Sequence, residues 1–139
     1  MTPNFELVRG NERLECDYLV WWDTTELAKA FGWKPRSPMR LSRDVSNPAE
    51  VADEDAQSLA MAIRECLRIL TTNKRPTRRQ MASLIRLAAA GGLEGNSVGL
   101  FVQQPARMSV FLKEPVRIAK FCCNGGFQMN LKTPDDSSA

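Results

Sequence analysis

The residues of this chain that could carry out chemistry are cysteines, carboxylates and a cluster of cations, and the chain contains no histidine. Without an imidazole there is no Ser-His-Asp or Cys-His arrangement, no H-E-x-x-H zinc helix and no histidine general base. These arrangements for hydrolysis are therefore excluded, and any chemistry has to come from the remaining groups.

The paired carboxylates have structural explanations. Asp53, Glu54 and Asp55 fall in the first turn of a predicted helix, where the helix dipole favours negative charge. Asp135 and Asp136 lie in a polar C-terminal tail. We therefore predict no catalytic acid–base pair in either group.

The four cysteines show neither the paired C-x-x-C spacing of a zinc site nor the framework of a short secreted protein. Free cysteine behaves as a small buried hydrophobe. Cys122 and Cys123 fall at a predicted helix C-terminus, whereas a thiolate is stabilised at an N-terminus. A vicinal disulfide or redox pair is the alternative for these two. The sequence predicts free thiols, with no metal site and no cofactor, at Cys16, Cys66, Cys122 and Cys123.

The glycine-rich segment at residues 91–99 has the composition of a phosphate-binding loop but not its order. A P-loop follows a strand, ends in Gly-Lys-Ser/Thr and opens a helix. Here the glycines follow a predicted helix and lead into a predicted strand at residues 97–103. We interpret the segment as a helix stop and a connecting loop.

The cations form the one local pattern that contradicts helix preferences. Lys74, Arg75, Arg78 and Arg79 crowd the predicted start of a helix, whose dipole disfavours positive charge there. Guanidinium groups beside unpaired helix amides can hold an anion, either a phosphate or a partner's carboxylates. The alternative is a solvated face that the acidic residues 50–55 partly neutralise. A second basic stretch in a predicted loop consists of Lys34, Arg36, Arg40 and Arg43.

The first 22 residues predict a β-hairpin. Gly10-Asn11 is a two-residue turn signal, because glycine adopts positive φ without steric cost. The turn sets a register that places the apolar residues of both strands on one face. The predicted pairs are Arg9–Glu12, Leu7–Leu14 and Phe5–Cys16.

Continued alternation along the second strand places Trp21 and Leu19 on the face opposite Leu14. An exposed tryptophan beside an aliphatic residue is a common interface anchor. The alternative is that a later helix or strand covers Trp21 and buries this end of the sheet on both faces.

Downstream, the sequence predicts helices and two strands. The best-defined helix covers residues 53–70, where apolar residues keep the i, i+3, i+4, i+7 spacing of one buried stripe. The next helix carries a capping box of Thr77 and Gln80. The predicted order is a helix from Asp23 to Gly32, a helix start at Asn47-Pro48, helices at 53–70 and 77–90, a strand at 97–103, a helix from Pro115 to Gly125 and a strand at 127–131.

This order predicts an α+β fold, with an N-terminal β-hairpin and three to four helices packed on a small, mostly antiparallel sheet. Residues 1–132 are expected to form a single compact domain and residues 133–139 a disordered tail. The 43% hydrophobic and 25% charged residues are typical of a globular protein. We find no signal-peptide pattern and no apolar run of membrane-spanning length, so we expect a cytoplasmic protein with no membrane partner.

The leading functional hypothesis is a small non-enzymatic interaction or regulatory protein, of the inhibitor, adaptor or immunity type, that binds a protein partner. The alternative is a nucleic-acid-binding module that uses the cation cluster for phosphates. A weaker alternative is an enzyme whose site the sequence does not reveal. Homo-oligomerisation is left open. The predicted binding residues are Trp21, Leu19, Lys74, Arg75, Arg78 and Arg79.

Overall fold

A computed structural model describes residues 4–36, 49–72, 74–95 and 98–132. Within these ranges the chain forms a four-stranded antiparallel sheet and five α-helices, which confirms the predicted α+β class with its N-terminal hairpin. The predicted tail at 133–139, the helix start at Asn47-Pro48 and the cations Arg40 and Arg43 lie outside the described residues. The elements are β1 (Asn4–Arg9), β2 (Glu12–Asp17), α1 (Tyr18–Ala30), β3 (Ala49–Val51), α2 (Asp53–Thr71), α3 (Arg78–Ala90), α4 (Val98–Gln103), a 3-10 helix (Pro105–Phe111), α5 (Lys113–Cys122) and β4 (Phe127–Lys132).

The hairpin of β1 and β2 has the register predicted from its turn. Gly10 adopts a φ of 58°, the left-handed conformation that the two-residue turn requires. Leu7 pairs with Leu14, and Leu7 is fully buried. The register also sets Glu6 opposite Glu15, and Arg13 offsets this repulsion by pairing with Glu6 at 3.0 Å.

The second strand ends earlier than the alternation predicted, and this part of the prediction was wrong. Helix α1 begins at Tyr18 and is not capped by Asp23. The physical reason is Asp17, whose Oδ1 accepts a hydrogen bond from the backbone N–H of Leu19 (2.8 Å) and caps the helix. A short apolar run such as 18–22 fits a strand or a helix by pattern alone.

The sheet has the order β2-β1-β4-β3, so the C-terminal strand lies between β1 and the short β3. One face of the sheet carries the buried side chains Leu7, Met129 and Phe127, which join the helices in one core cluster. The opposite face is more exposed, and there the Gln128 side chain donates to Glu50 (3.4 Å). Strand β3 was not predicted, because three residues are too few to show an alternating pattern.

The predicted helices at 53–70 and 77–90 are confirmed as α2 and α3, and α5 and β4 follow as expected. The strand predicted at 97–103 was wrong, since residues 98–103 form α4. Its apolar run is too short for periodicity to separate a strand from a helix, and α4 contacts the 3-10 helix instead of joining the sheet. Within the described ranges, no helix is long and apolar enough to cross a bilayer.

Two hydrogen bonds connect the segment after α1 to the start of α2. The indole Nε1 of Trp33 donates to the backbone oxygen of Asp55 (3.0 Å), and the backbone N–H of Arg36 donates to the Asp55 carboxylate (3.0 Å). Asp55 is buried, so its carboxylate has a structural role beyond the helix dipole. These contacts set the position of α1 relative to α2.

Candidate interaction surface

Trp21 lies in the core and is not an exposed anchor. Its side chain is 3% exposed, and its ring meets the ring of Phe127 edge to face with centroids 6.1 Å apart. The sequence left the exposure of Trp21 open between two interpretations. The structure confirms its burial but not a sheet covered on both faces, because Trp21 lies on helix α1. The helical start at Tyr18 explains this, because in α1 the side chain of residue 21 turns toward the sheet.

The exposed tryptophan of this region is Trp22. Its side chain is 46% exposed, and Leu19, one turn earlier on the same helix, is 50% exposed. The rings of Tyr18 and Trp22 stack with centroids 6.4 Å apart and planes inclined by 24°. Tyr18, Leu19 and Trp22 therefore form an apolar patch, here called the α1 surface. Tyr18 and Leu19 lie four and three residues before Trp22, a spacing that would have revealed the patch if the segment had been interpreted as a helix.

Charged side chains continue from the α1 surface along the helix. Glu26 pairs with Lys29 at 3.6 Å. Burial raises the pKa of Asp23, while the nearby Arg86 guanidinium on α3 acts to lower it and Glu26 acts to raise it. The apolar patch thus borders an acidic row on α1, with Arg86 facing that row.

The cation cluster lies where the sequence placed it. Thr77 caps α3, with the capping box to Gln80 formed in both directions. Because Gln80 also donates to the backbone oxygen of Ala30 (3.2 Å), the start of α3 sits at the end of α1. Trp22 lies about 12 Å from Ala30 along α1, given 1.5 Å per residue. The cations and the α1 surface are therefore separate features and not one patch.

The cations of this cluster are exposed, and none forms an ion pair or a side-chain hydrogen bond with another residue of the described ranges. The acidic residues 50–55 do not neutralise them by contact. Glu54 pairs with Arg36 (3.0 Å), and Asp53 accepts a hydrogen bond from the backbone N–H of Gly126 (2.6 Å). The cluster consists of Lys74, Arg75, Arg78 and Arg79.

An open cavity of about 580 Å³ lies at the end of the sheet where β1, β3 and β4 meet. The charged groups that line it are used within the fold. Arg9 donates to two backbone oxygens at the end of α5, and Asp53 holds Gly126. Glu50 accepts from Gln128. The cavity lining that the structure describes therefore consists of groups that already have partners within the fold.

The cysteines do not form a reactive centre. All four are free thiols, and burial raises the pKa of Cys16, Cys66 and Cys122 to about 12. Cys123 is partly exposed, and its thiol donates to the backbone oxygen of Lys120 (3.1 Å). Among the residues that the structure describes, no group of three or more His, Cys, Asp or Glu could hold a metal ion.

No family model, no curated protein and no solved structure matches this chain significantly.

Proposed function

We propose that this chain is a small non-enzymatic interaction protein, which binds a protein partner through the α1 surface. The observation that carries the proposal is the joint exposure of Leu19 and Trp22 on adjacent turns of α1. Tryptophan is among the residues that contribute most to binding when a partner covers them. A large apolar side chain left half exposed has a physical explanation if a partner covers it.

The geometry of the patch supports this assignment. Trp22 stacks on Tyr18, so its ring is held before a partner arrives and little side-chain entropy is lost on binding. Helix α1 is tied to the core through Trp21 and Leu27, which gives the patch a rigid base. A preorganised aromatic with an aliphatic neighbour is typical of an interface centre.

The absence of enzymatic activity is part of the same proposal. The groups that could carry out chemistry are used in structural contacts in the described ranges: Asp53 and Asp55 join segments of the chain, and three cysteines are buried. An inhibitor, an adaptor or an immunity-type protein needs no more than a docking surface. At the edge of the α1 surface, Asp23, Glu26 and Lys29 would favour a partner whose surface carries complementary charges.

A capture experiment from the native host tests the proposal. Tagged wild-type protein is compared with Trp22→Ala and with Met61→Ala, which truncates another exposed apolar side chain (68% exposed) on the outer face of α2. We expect a partner retained by wild type and by Met61→Ala, resistant to nuclease, and reduced about 30-fold or more in affinity by Trp22→Ala, the equivalent of about 2 kcal/mol for a central anchor. Equal retention by all three proteins would overturn the assignment of the α1 surface. A partner lost on nuclease treatment would overturn the protein-binding function.

A further inference from the structure

The outer face of α3 carries cations at its start and again two turns later, at the exposed Arg86. Residues 78, 79, 82, 86, 89 and 90 are its exposed positions, and all of them are arginine or alanine. At 100° per residue these positions lie within one arc of the helix. Arg79 and Arg86 lie nearly in line on this arc, about 10.5 Å apart at 1.5 Å per residue. Lys74 and Arg75 extend the row before the helix begins.

No ion pair in the described ranges neutralises the charge of this row. The chain has no acidic residue from 66 to 93. Two acidic groups of neighbouring helices interact with the row through space: Arg86 acts to lower the pKa of Asp23 on α1, and Lys74 acts to lower the pKa of Glu65 on α2. The row consists of Lys74, Arg75, Arg78, Arg79 and Arg86 and is here called the α3 basic face.

The composition of the α3 basic face favours one class of ligand. A protein–protein interface needs an apolar centre, and the exposed positions of α3 supply only alanine between the arginines. Contacts to a nucleic-acid backbone, in contrast, depend on cations in a row and on close approach, which small side chains permit. Charge complementarity therefore favours a continuous polyanion over a folded acidic protein.

The geometry points to the α3 basic face as a binding surface for the sugar–phosphate backbone of a nucleic acid, recognised through its phosphates and without base-specific contacts. This site goes beyond the function proposed above, since it uses α3 in place of the α1 surface. Binding of this kind is weak and strongly dependent on salt, with dissociation constants on the order of 10⁻⁵ M at physiological ionic strength.

Fluorescence anisotropy with labelled duplex DNA, single-stranded DNA and single-stranded RNA, all of mixed sequence, tests this site between about 50 and about 200 mM salt. On duplex DNA, the double variant Arg79→Ala/Arg86→Ala should reduce the magnitude of the slope of log affinity against log salt by about two. Each lost phosphate contact removes about 0.9 from that magnitude. Arg79→Lys/Arg86→Lys, which keeps both charges, should retain the slope. The matched control Arg13→Ala/Arg64→Ala removes two exposed arginines from β2 and α2 and should also retain it.

The outcomes show which class of nucleic acid binds, and they distinguish the α3 basic face from the α1 surface. The three probes show whether duplex DNA, single-stranded DNA or RNA binds best, and binding of any of them through Arg79 and Arg86 supports the site. Equal slopes for the wild type, the alanine variant and the control would overturn it, as would no binding at about 50 mM salt. Poly-glutamate is a competitor that carries negative charge without phosphates. If it displaces the labelled probe as well as unlabelled nucleic acid of the same total charge does, the face binds acidic proteins and the nucleic-acid site is overturned. Trp22→Ala should leave the slope unchanged, so the failure of one surface is distinguishable from the failure of the other.

Discussion

The guanidinium of Arg9 at the end of β1 contacts Phe121 at the end of α5 in two ways. One Nη donates to the backbone oxygen of Phe121 (2.7 Å), and the guanidinium carbon lies 4.3 Å from the centre of the same residue's ring. A second bond to the backbone oxygen of Gly125 (3.1 Å) and an ion pair with Glu12 complete its contacts. One cation thus joins the hairpin turn to the C-terminus of α5, where the dipole favours positive charge.

Arg9→Ala should therefore lower the free energy of unfolding by about 2 kcal/mol, because it leaves the helix-end oxygens without their charged donor. Urea denaturation followed by circular dichroism measures the loss. Arg13→Ala is the control, since it removes an arginine of the same hairpin whose ion pair is exposed and should cost less than about 1 kcal/mol. A cost of Arg9→Ala no larger than that of the control would show that the Arg9 contacts do not stabilise the fold.

The neighbouring tryptophans of α1 should respond in opposite ways. Trp21→Ala removes a buried ring from its contact with Phe127 and should cost about 3–5 kcal/mol. Trp22→Ala removes a half-exposed ring and should cost less than about 1 kcal/mol. Denaturant unfolding of the two variants gives both values. The reverse order of costs would show that α1 presents a different face to the sheet.

Gly126 is required by a close approach between two segments. A Cβ at this position would overlap the backbone oxygen of Val51, and its backbone N–H donates to Asp53 at 2.6 Å. Gly126→Ala should therefore cost about 1–3 kcal/mol, as overpacking does. Gly95→Ala, where an added Cβ meets no atom within 4 Å, is the control and should change stability by less than about 0.5 kcal/mol. Equal stability of the two variants, measured by thermal unfolding, would contradict the contact.

The buried thiols should make the protein less stable in alkali. Burial raises the pKa of Cys66 from 9.0 to about 12, so between these values the unfolded chain loses a proton that the native chain keeps. Stability is therefore constant with respect to this group below pH 9.0 and falls as pH rises above it, by about 1.4 kcal/mol per unit. Cys66→Ala should show a shallower decline than wild type in denaturant titrations over this range. An unchanged slope would show that the thiol ionises equally in both states.

The parts of the fold that the sequence predicted are those in which a local signal acts on its own. The Gly10-Asn11 turn determined the hairpin register, and the stripe in residues 53–70 identified α2. The capping box of Thr77 and Gln80 located the start of α3 to within one residue. In each case the turn or cap chemistry agrees with the hydrophobic pattern, so that one structure satisfies both.

The wrong predictions concern short apolar runs, whose secondary structure depends on tertiary contacts. The sequence predicted that residues 18–22 continue the second strand, but Asp17 caps a helix there and these residues begin α1. As a result, Trp22 is the exposed tryptophan and Trp21 is buried. Residues 98–103 were also predicted to be a strand and form α4. The candidate site therefore moved by one residue on α1, whereas Leu19 and the cation cluster are exposed where the sequence placed them.

Photo-cross-linking in the native host tests whether Trp22 contacts a protein partner. A photoreactive phenylalanine analogue, p-benzoylphenylalanine, replaces Trp22 in one protein and Met61 in another, since both side chains are exposed. We expect a discrete adduct from position 22 that resists nuclease and is digested by protease, and none of that mass from position 61. No adduct from position 22, or the same adduct from both positions, would contradict the proposed contact.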